Sequence, residues 1–445
     1  MPAPASACEG LHGTESLWTD AALDDVLGPA TECSDRFANR VANRLMGRTH
    51  ALDEVPLRTM VDVVERAGES MLAEQTAWAR STLARHGWDP DTQLPTPAAE
   101  LAPLVGALEP SSYAEGDGPD SSGGLVAEAV ASFNARREDE RERVPDGLAA
   151  ASAYEDPSRA VYLSPDGVAA KRQKDSRPRS RREPTFDSDS RDGPPDYSRP
   201  PEPKGRPKVE TAVAHVECDK MRYVLAAESM FAVTGAAIAL MLERGLLEGR
   251  RLVVISDGGV DIRACARDLL SFCTVTVMLD WFHLRKRCNE LLSMALKGGK
   301  ANRPMQYEVK RRLFRMLWAG NVGAAIEYLS DLGDEKVKCR PRLEELVRYL
   351  RAREPQIPSY AVRHALGLRN SSNPVEKAND ILVASRQKHR GMSWSRQGSW
   401  SLAEITAVFA NGEMKSWYED GHPTRALREA YASPFDVKRG CVDAA

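Results

Sequence analysis

Two aspartates stand at the ends of two apolar segments of the sequence. Asp257 follows RRLVVIS, and Asp280 follows TVTVML. A carboxylate at the end of a buried strand costs desolvation energy unless a cation or a hydrogen-bond donor meets it. Mg²⁺ is such a cation, since it binds hard oxygen ligands and needs only one or two carboxylates beside water and phosphate. Alternatively, each aspartate caps the next helix or stabilises a turn. The spacing pairs Asp257 with Asp280 in a candidate metal site.

The elements around the two aspartates predict an α/β unit. RRLVVISD and TVTVMLD are short buried strands with the helix IRACARDLLSF between them, an order that implies parallel pairing through a right-handed crossover. The ends of such strands lie at one side of a sheet, where loops collect functional groups. Before them, TAVAHVECDKMRYVLAAES is one long strand or a hairpin, and Val233 to Glu248 is a helix that Gly249 ends.

Helices dominate the rest of the chain. From Leu284 to about Leu366 the sequence is helical throughout, with glycines and a proline at the joins. Serine and asparagine before Pro374 start a further helix with Glu376 in its first turn. Near the N-terminus, LRTMVDVVERAGESMLAEQTAWARSTLARH has apolar residues at helical spacing and predicts a packing helix. A recognition helix within VPLRTMVDVVERAG is the alternative.

A proline-rich segment interrupts the first strand region. From Lys171 to Lys208 it holds 12 Lys or Arg, 7 Asp or Glu and 8 Pro. Proline removes backbone donors and the segment offers little that is apolar to bury, so we expect no packed element there. The segment is either a solvated linker or a basic arm that follows a phosphate backbone by releasing counterions.

The bulk composition excludes several classes of protein. The 445 residues, 42% of them hydrophobic, suffice for two or three domains, and a formal net charge of -3 excludes a global basic field. The eight cysteines contain no C-x-x-C pair, which fits neither a disulfide framework nor a zinc site. Because the N-terminus lacks a signal peptide and no apolar run is long enough to span a bilayer, we expect a soluble, cytoplasmic protein.

Three segments together resemble bacterial insertion-sequence transposases of the DDE type: SDGGVDIRACARDLL, TVTVMLDWFHLRKRC and NSSNPVEKANDILVASRQKHRGMSWSRQGS. The run DWFH, from Asp280 to His283, matches the signature of their Mutator-related branch, which is Cys or Asp, two residues, then His. The chain is similar to the ISKra-type transposases of that branch from about Tyr162 to Trp417, more than half of its length. The resemblance implies an α/β, ribonuclease-H-like catalytic core with an all-α insertion and a mainly helical N-terminal region.

The resemblance also assigns catalytic and metal-binding roles to three carboxylates. Asp257 is the second of them, and Glu376, in NPVEKAND, is the third. Asp280 and His283 then become accessory residues of the signature instead of members of the triad. The pairing of Asp257 with Asp280 thus gives way to a pairing with Glu376.

The first carboxylate of the triad is expected on the first strand of the core, where YLSPDGVAAKRQK offers Asp166. That strand is central in this fold, and Pro165 would remove a ladder hydrogen bond there. The objection disappears if Asp166 stands at the strand end or on a bulge. Glu217 and Asp219, in HVECDKMRY, are the alternatives.

The resemblance divides the chain into five parts. Residues 1–155 are an N-terminal helical region for DNA-end binding or dimerisation, and residues 156–283 are the first part of the core, with the basic arm at 171–208. Residues 284–366 are the helical insertion, residues 367–420 the second part of the core with the catalytic Glu, and residues 421–445 a C-terminal tail.

The implied chemistry is DNA transposition. Two Mg²⁺ ions, for which Mn²⁺ can substitute, would be held about 3.5 to 4 Å apart by shared carboxylates, activating the attacking oxygen and stabilising the leaving one. Water frees a 3′-hydroxyl at the element's end, and that hydroxyl then attacks target DNA in the same site. Gly258 and Gly259 would be small so that the ions and a DNA strand can approach. Because two ends must be brought together, we expect a homo-oligomer on the DNA.

Double-stranded DNA, as terminal repeats and as target, is the implied partner, so the protein would be nucleoid-associated when bound. Cationic side chains would hold phosphates while an aromatic ring stacks on an unpaired base. The candidates are Lys171, Arg172, Lys174, Arg285, Lys286, Arg386, Lys388, Arg390 and Trp394. Two alternatives stay open: a nuclease of the same fold that hydrolyses without joining strands, and a catalytically decayed or domesticated DNA-binding protein.

Overall fold

A five-stranded mixed β-sheet organises the chain, with strands in the spatial order β3, β2, β1, β4, β5. The strands are β1 (Ala160–Lys171), β2 (Lys208–Cys218), β3 (Met221–Ala227), β4 (Arg251–Ser256) and β5 (Val275–Leu279). The computed structural model describes residues 20–32, 38–44, 56–96, 124–146, 151–154, 159–173, 207–270, 275–388 and 392–431. Helices separate β3, β4 and β5 in the chain and further helices pack around the one sheet, so the predicted α/β class is confirmed.

Helices cover both faces of this sheet. They are α1 (Asp20–Glu32), α2 (Leu57–Arg85), α3 (Leu125–Asn134), α4 (Met230–Glu243), α5 (Val260–Leu269), α6 (Trp281–Ala295), α7 (Arg303–Ala319), α8 (Val322–Ser330), α9 (Arg340–Arg353), α10 (Tyr360–Ala365), α11 (Asn373–Asn379), α12 (Arg396–Ala410) and α13 (Met414–Asp420), with a π-helix at Asp380–Lys388. Helices α2, α4 and α5 pack on one face. On the other face, α6 to α10 cover the β4 and β5 side, and α11, the π-helix and α12 cover the β2 and β3 side.

The antiparallel half of the sheet contains a tight hairpin. Strands β2 and β3 pair from Ala212↔Ala227 to Cys218↔Met221. The turn residues Asp219 and Lys220 have φ of 51° and 66°, the left-handed backbone that two-residue hairpin turns use to match the strand twist. The sequence left one long strand or a hairpin open, and the structure shows the hairpin.

The parallel half of the sheet confirms the predicted strand, helix and strand order. Strands β4 and β5 pair from Leu252↔Val275 to Ser256↔Leu279, with α5 between them in the chain. Strand β1 pairs with β4 only from Ala160↔Arg251 to Leu163↔Val254, whereas its pairing with β2 continues to Lys171. The pairing of β1 with β4 thus ends two residues before Pro165, so the missing N–H of Pro165 removes no hydrogen bond to β4.

Helix α4 departs from its predicted bounds. It begins at Met230, where the Ser229 hydroxyl accepts a hydrogen bond from the Ala232 amide at 3.2 Å, and it ends at Glu243 instead of Glu248. The early end has a local cause, because Gly245 already adopts a φ of 60°. A glycine in that conformation ends a helix.

The described parts of the N-terminal region are helical, as predicted, and pack at two places on the rest of the chain. Helices α1 and α2 share a hydrophobic cluster with α12 and α13. The contact between α2 and α12 is close, since a Cβ added at Gly68 would lie 2.3 Å from the Ser401 Cβ. Helix α3 packs against α10 instead. Of the segment VPLRTMVDVVERAG, the residues from Leu57 onward belong to α2, and Met60, Val63 and Val64 are buried in the cluster that α1 and α2 share with α12 and α13.

The segment predicted to be helical, residues 284–366, holds α6 to α10, which begin at Trp281 and end at Ala365. We keep the name insertion for these helices. Most of its buried apolar side chains form one hydrophobic cluster that also includes Val253, Ile255 and Met278 of the sheet, whereas Ala319 and Val362 belong to a cluster with α3. Most of the basic arm at 171–208 and the end of the C-terminal tail lie outside the described residues. In the part of the chain that the structure describes, every helix is too short or too polar to cross a membrane.

Candidate active site

The first carboxylate, Asp166, extends from the central strand. It lies on β1 opposite Val213 of β2, three residues beyond the last β1–β4 pair, Leu163↔Val254. The Gly167 amide donates to its Oδ1 at 2.7 Å, and the Asn379 side chain donates to its Oδ2 at 2.7 Å. Asp166 is half-buried, at the place where β1 has left β4.

Asp257, the expected second carboxylate, directly follows the last residue of β4, Ser256. It lies three residues beyond Val254, as Asp166 lies three residues beyond the paired Leu163. The Asp257 side chain is exposed and accepts a hydrogen bond from the Gly259 amide at 2.7 Å. Burial and the negative charge of Asp257 raise the pKa of Asp166, against the hydrogen bond from Gly167. The negative charge of Asp257 therefore acts on Asp166.

Gly258, next to Asp257, is small for a reason that the sequence did not indicate. Its φ is 78°, and an added Cβ would lie 2.9 Å from the Leu279 Cδ1 and 3.0 Å from the Arg353 Nε. The Arg353 guanidinium also donates to the Gly258 carbonyl at 2.5 Å. Backbone conformation and packing therefore require glycine here, whether or not a ligand approaches.

Asp280 caps the helix that follows it, which is the alternative to a metal site that its position in the sequence left open. Its side chain is 0% exposed and caps α6, with Oδ1 accepting from the His283 amide at 2.8 Å. Its Oδ2 accepts from the Ser372 amide at 2.5 Å and from the Ser372 hydroxyl at 3.1 Å. Burial acts to raise the pKa of Asp280, but the hydrogen bonds from His283 and Ser372 outweigh it and hold the pKa below its usual value.

His283 links the buried Asp280 to the third carboxylate. Its Nδ1 lies 3.2 Å from the Asp280 Oδ1, and its Nε2 lies 3.9 Å from the Glu376 Oε1. The hydrogen bond with Asp280, followed by the charges of Asp280, Asp257 and Glu376, raises the pKa of His283 against the effect of burial. The imidazole thus stands among three carboxylates, and the spacing of three residues from the helix cap Asp280 places it there.

Glu376 is brought to the sheet by the helix that follows the insertion. It lies in the first turn of α11, as predicted, and its side chain is 49% exposed. Helix α11 buries Val375 and Ala378 against Val168 of β1 and Val213 of β2. This packing brings Glu376 to the face of the sheet that carries Asp166.

The alternative first carboxylates stand elsewhere. Glu217 pairs with Tyr162 near the start of β1 and forms an ion pair with Arg369. Asp219 lies in the β2–β3 turn and forms an ion pair with Arg250 at 2.6 Å. Glu217 and Asp219 are each paired with an arginine and lie at the end of the β1–β2 pairing where β1 begins. The geometry therefore favours Asp166 as the candidate first carboxylate.

Asn379 joins the site although it was not singled out from the sequence. It lies three residues after Glu376 on α11, donates to Asp166, and is only 7% exposed. Its own Oδ1 is buried and has no hydrogen-bond partner among the described residues. The spacing of three residues in NPVEKAND was the available signal, since it puts two side chains on one face of a helix.

The case for a divalent cation at this site depends on the kind of oxygen donors that the side chains offer. No group of three or more His, Cys, Asp or Glu side chains within the described ranges is close enough to hold a metal ion. The carboxylates of Asp166 and Asp257 are nonetheless hard oxygen donors of the kind that Mg²⁺ binds with water and phosphate. A cation beside them would also offset the repulsion that raises the Asp166 pKa. The residues present therefore suit such an ion.

The predicted DNA-binding side chains occupy different environments. Those that are exposed or half-buried are Lys171 and Arg172 at the end of β1, Arg285 and Lys286 on α6, and Lys388 at the end of the π-helix. Lys174 and Arg390 lie outside the described residues.

Arg386 does not present its charge to solvent, in contrast to the expectation for a phosphate contact. It is 1% exposed, and its Nε donates to the Ala30 carbonyl at 3.0 Å. Its guanidinium stacks 4.8 Å from the Trp394 ring centroid, and the Trp394 indole donates to the Gln387 carbonyl at 3.3 Å. In this conformation Arg386 and Trp394 hold α1 and the π-helix together.

Comparisons with protein-family models, with curated proteins and with solved structures return no match for this chain.

Proposed function

We propose that this protein is a DNA transposase of the DDE type with a ribonuclease-H-like core, and that Asp166, Asp257 and Glu376 are its catalytic carboxylates. The observation that supports the proposal is the position of Asp166 and Asp257, each three residues beyond the last β1–β4 pair, together with the effect of the Asp257 charge on Asp166. Glu376 reaches the same face from beyond the insertion. The central position of β1 in the sheet agrees with the fold that the resemblance implies.

Asp166, Asp257 and Glu376 would hold the divalent ions, which would supply charge stabilisation to the attacking and leaving oxygens of a phosphodiester in line. The chain's own residues position these carboxylates. Asn379 fixes one oxygen of Asp166, and His283 stands against Glu376 while Asp280 holds its ring. Asp280 therefore acts as a positioning residue, because its own oxygens are all engaged by His283 and Ser372.

The proposal is tested with the full-length chain and DNA that carries the terminal repeats found beside its gene. In the presence of Mg²⁺ or Mn²⁺ we expect nicking at the repeat ends and joining of the cut ends to a target plasmid. Asp257→Asn should abolish both reactions. Asp261→Asn is the matched control, since Asp261 is an exposed acid on α5 whose side chain takes no part in the site.

The alternatives give distinct results in this assay. Cleavage without joining would identify a hydrolytic nuclease. Retained binding of the repeats without metal-dependent cleavage would identify a decayed or domesticated DNA-binding protein. Cleavage that survives Asp257→Asn would overturn the assignment of the carboxylates.

A further inference from the structure

The insertion carries an open groove that the proposed cleavage chemistry does not use. The groove lies between α6 and α7 and has a volume of about 510 Å³. Five Arg or Lys side chains and four aromatic side chains line it, and no Asp or Glu is among its lining residues. We call this surface, formed around Trp281, Arg285, Tyr307, Lys310, Phe314 and Trp318, the cationic groove.

Two helical stripes build the cationic groove. Tyr307, Lys310 and Phe314 recur on α7 at spacings of three and four residues, and Trp281 and Arg285 are four residues apart on α6. Residues at these spacings share one face of a helix. Two facing stripes of rings and cations therefore form the walls.

The floor of the groove is an ordered aromatic cluster. The Trp281 ring lies 4.9 Å from Trp318 and 6.3 Å from Phe314, measured between centroids. The Arg285 guanidinium lies 5.2 Å from the Phe314 centroid. Tyr307 stands apart from this cluster, since it is 69% exposed and has no ring contact in the part of the chain that the structure describes. A large exposed ring at the rim of such a groove is available for stacking.

The charge of the groove is only partly neutralised. Arg311 pairs with Glu308 at 3.0 Å, and Arg315 pairs with Glu142 at 3.2 Å. The other cations of the groove, Arg285 and Lys310 among them, form no ion pair within the described residues. The groove therefore keeps a positive charge beside its aromatic rings.

We infer that the cationic groove binds single-stranded DNA, with a base stacked on Tyr307 and the backbone held by Arg285 and Lys310. Rings that stack on bases of any sequence, set among cations that follow the phosphates, are the features that such binding requires. One lining residue of the groove, Trp281, directly follows Asp280 in the chain, at the start of α6. The choice of DNA as the ligand rests on the proposed function.

The test is binding of a fluorescein-labelled oligo(dT) to the full-length chain, measured by anisotropy in EDTA so that no cleavage occurs. Tyr307→Ala should weaken binding roughly 5- to 150-fold, the range for the loss of one stacked base. On an oligonucleotide of the same length with abasic sites, the same variant should have no effect. Lys310→Ala should lower the slope of log affinity against log salt by about 0.7, as expected for one phosphate contact on a single strand.

Controls separate the groove from a general loss of structure. Phe231→Ala removes a partly exposed ring from α4, and Lys415→Ala removes an exposed cation from α13, so both should bind oligo(dT) as the wild type does. Wild-type affinity in Tyr307→Ala, or an equal loss in the controls, would overturn the inference. So would a wild-type protein that binds no oligo(dT) but self-associates through Tyr307, since the groove would then be a protein interface.

The two proposals fail separately. If oligo(dT) binding in EDTA depends on Tyr307 but the protein never cleaves DNA in the presence of metal, the proposed transposase function is refuted and the inferred DNA binding by the groove is supported. If cleavage depends on Asp257 but oligo(dT) binding does not depend on Tyr307, the proposed function is supported and the inference about the groove is refuted.

Discussion

Removal of the Asp280 carboxylate should destabilise the protein more than removal of any exposed acid. Asp280 is fully buried and accepts hydrogen bonds from the His283 amide and ring and from the Ser372 amide and hydroxyl. In Asp280→Ala these donors lose their partner, and breaking a buried ionic network of this kind costs about 3 to 5 kcal/mol. That is a large part of the roughly 5 to 15 kcal/mol that stabilises a folded domain.

Asp280→Asn should lie between the wild type and Asp280→Ala. The oxygen of the new side-chain amide can still accept one set of hydrogen bonds, but its nitrogen, itself a donor, faces the other donors. We therefore expect the free energy of unfolding to fall by about 1 to 3 kcal/mol. The lowered pKa also sets a pH dependence. The contribution of Asp280 is fully present above the ordinary carboxyl pKa of 3.8 and declines as the pH falls below it.

Urea unfolding followed by circular dichroism at pH 7 measures these losses, and hydrogen exchange locates them. The amides of His283 and Ser372 should exchange faster in both variants, because Asp280 is the acceptor for each. Asp261→Ala, on an exposed position of α5, should change the unfolding free energy by less than about 0.5 kcal/mol. An Asp280→Ala protein within about 1 kcal/mol of the wild type, with unchanged exchange at both amides, would refute this account.

Three further predictions concern the site and the core. Asp166→Asn should stabilise the protein at pH 7, because the raised pKa of Asp166 marks a destabilised charge, and the gain in melting temperature should vanish below pH 3.8. Gly258→Ala should cost at least about 1 kcal/mol in urea unfolding, given its φ of 78° and its contact with Leu279, whereas Gly298→Ala, with open space around it, should not. Burial raises the pKa of Glu404 to about 8, so wild-type stability relative to Glu404→Gln should fall as the pH rises from 4.5 to 8 and then level off; a flat difference would contradict the buried carboxyl.

The strand order and the carboxylates at strand ends could be predicted because they depend on local pattern. Short apolar runs that end in Asp257 and Asp280 specify parallel strands, and a parallel sheet brings such ends to one side. The helix start before Pro374 likewise follows from local chemistry and places Glu376 in the first turn. Local position also offered helix capping as a role for Asp280, which the structure shows, but it could not give the bond from Ser372, 92 residues away in the chain.

Tertiary contacts also decide the fate of charged residues that look solvated in the sequence. Arg386 belongs to a basic run that predicts a surface, yet it is buried because a backbone carbonyl 356 residues away, that of Ala30, accepts its hydrogen bond. The spacing of apolar residues in the sequence also does not predict the π-helix that carries Arg386. Long-range acceptors of this kind do not appear in any local pattern.

The two chain ends of the insertion are tied together where they leave the sheet. Besides the bonds from Ser372 to Asp280, the Trp281 amide donates to the Asn370 carbonyl at 3.2 Å and the Tyr360 hydroxyl to the Leu279 carbonyl at 2.8 Å. Because α11 begins directly after Ser372, these bonds fasten the start of the helix that carries Glu376 to the end of β5, across 92 residues of chain.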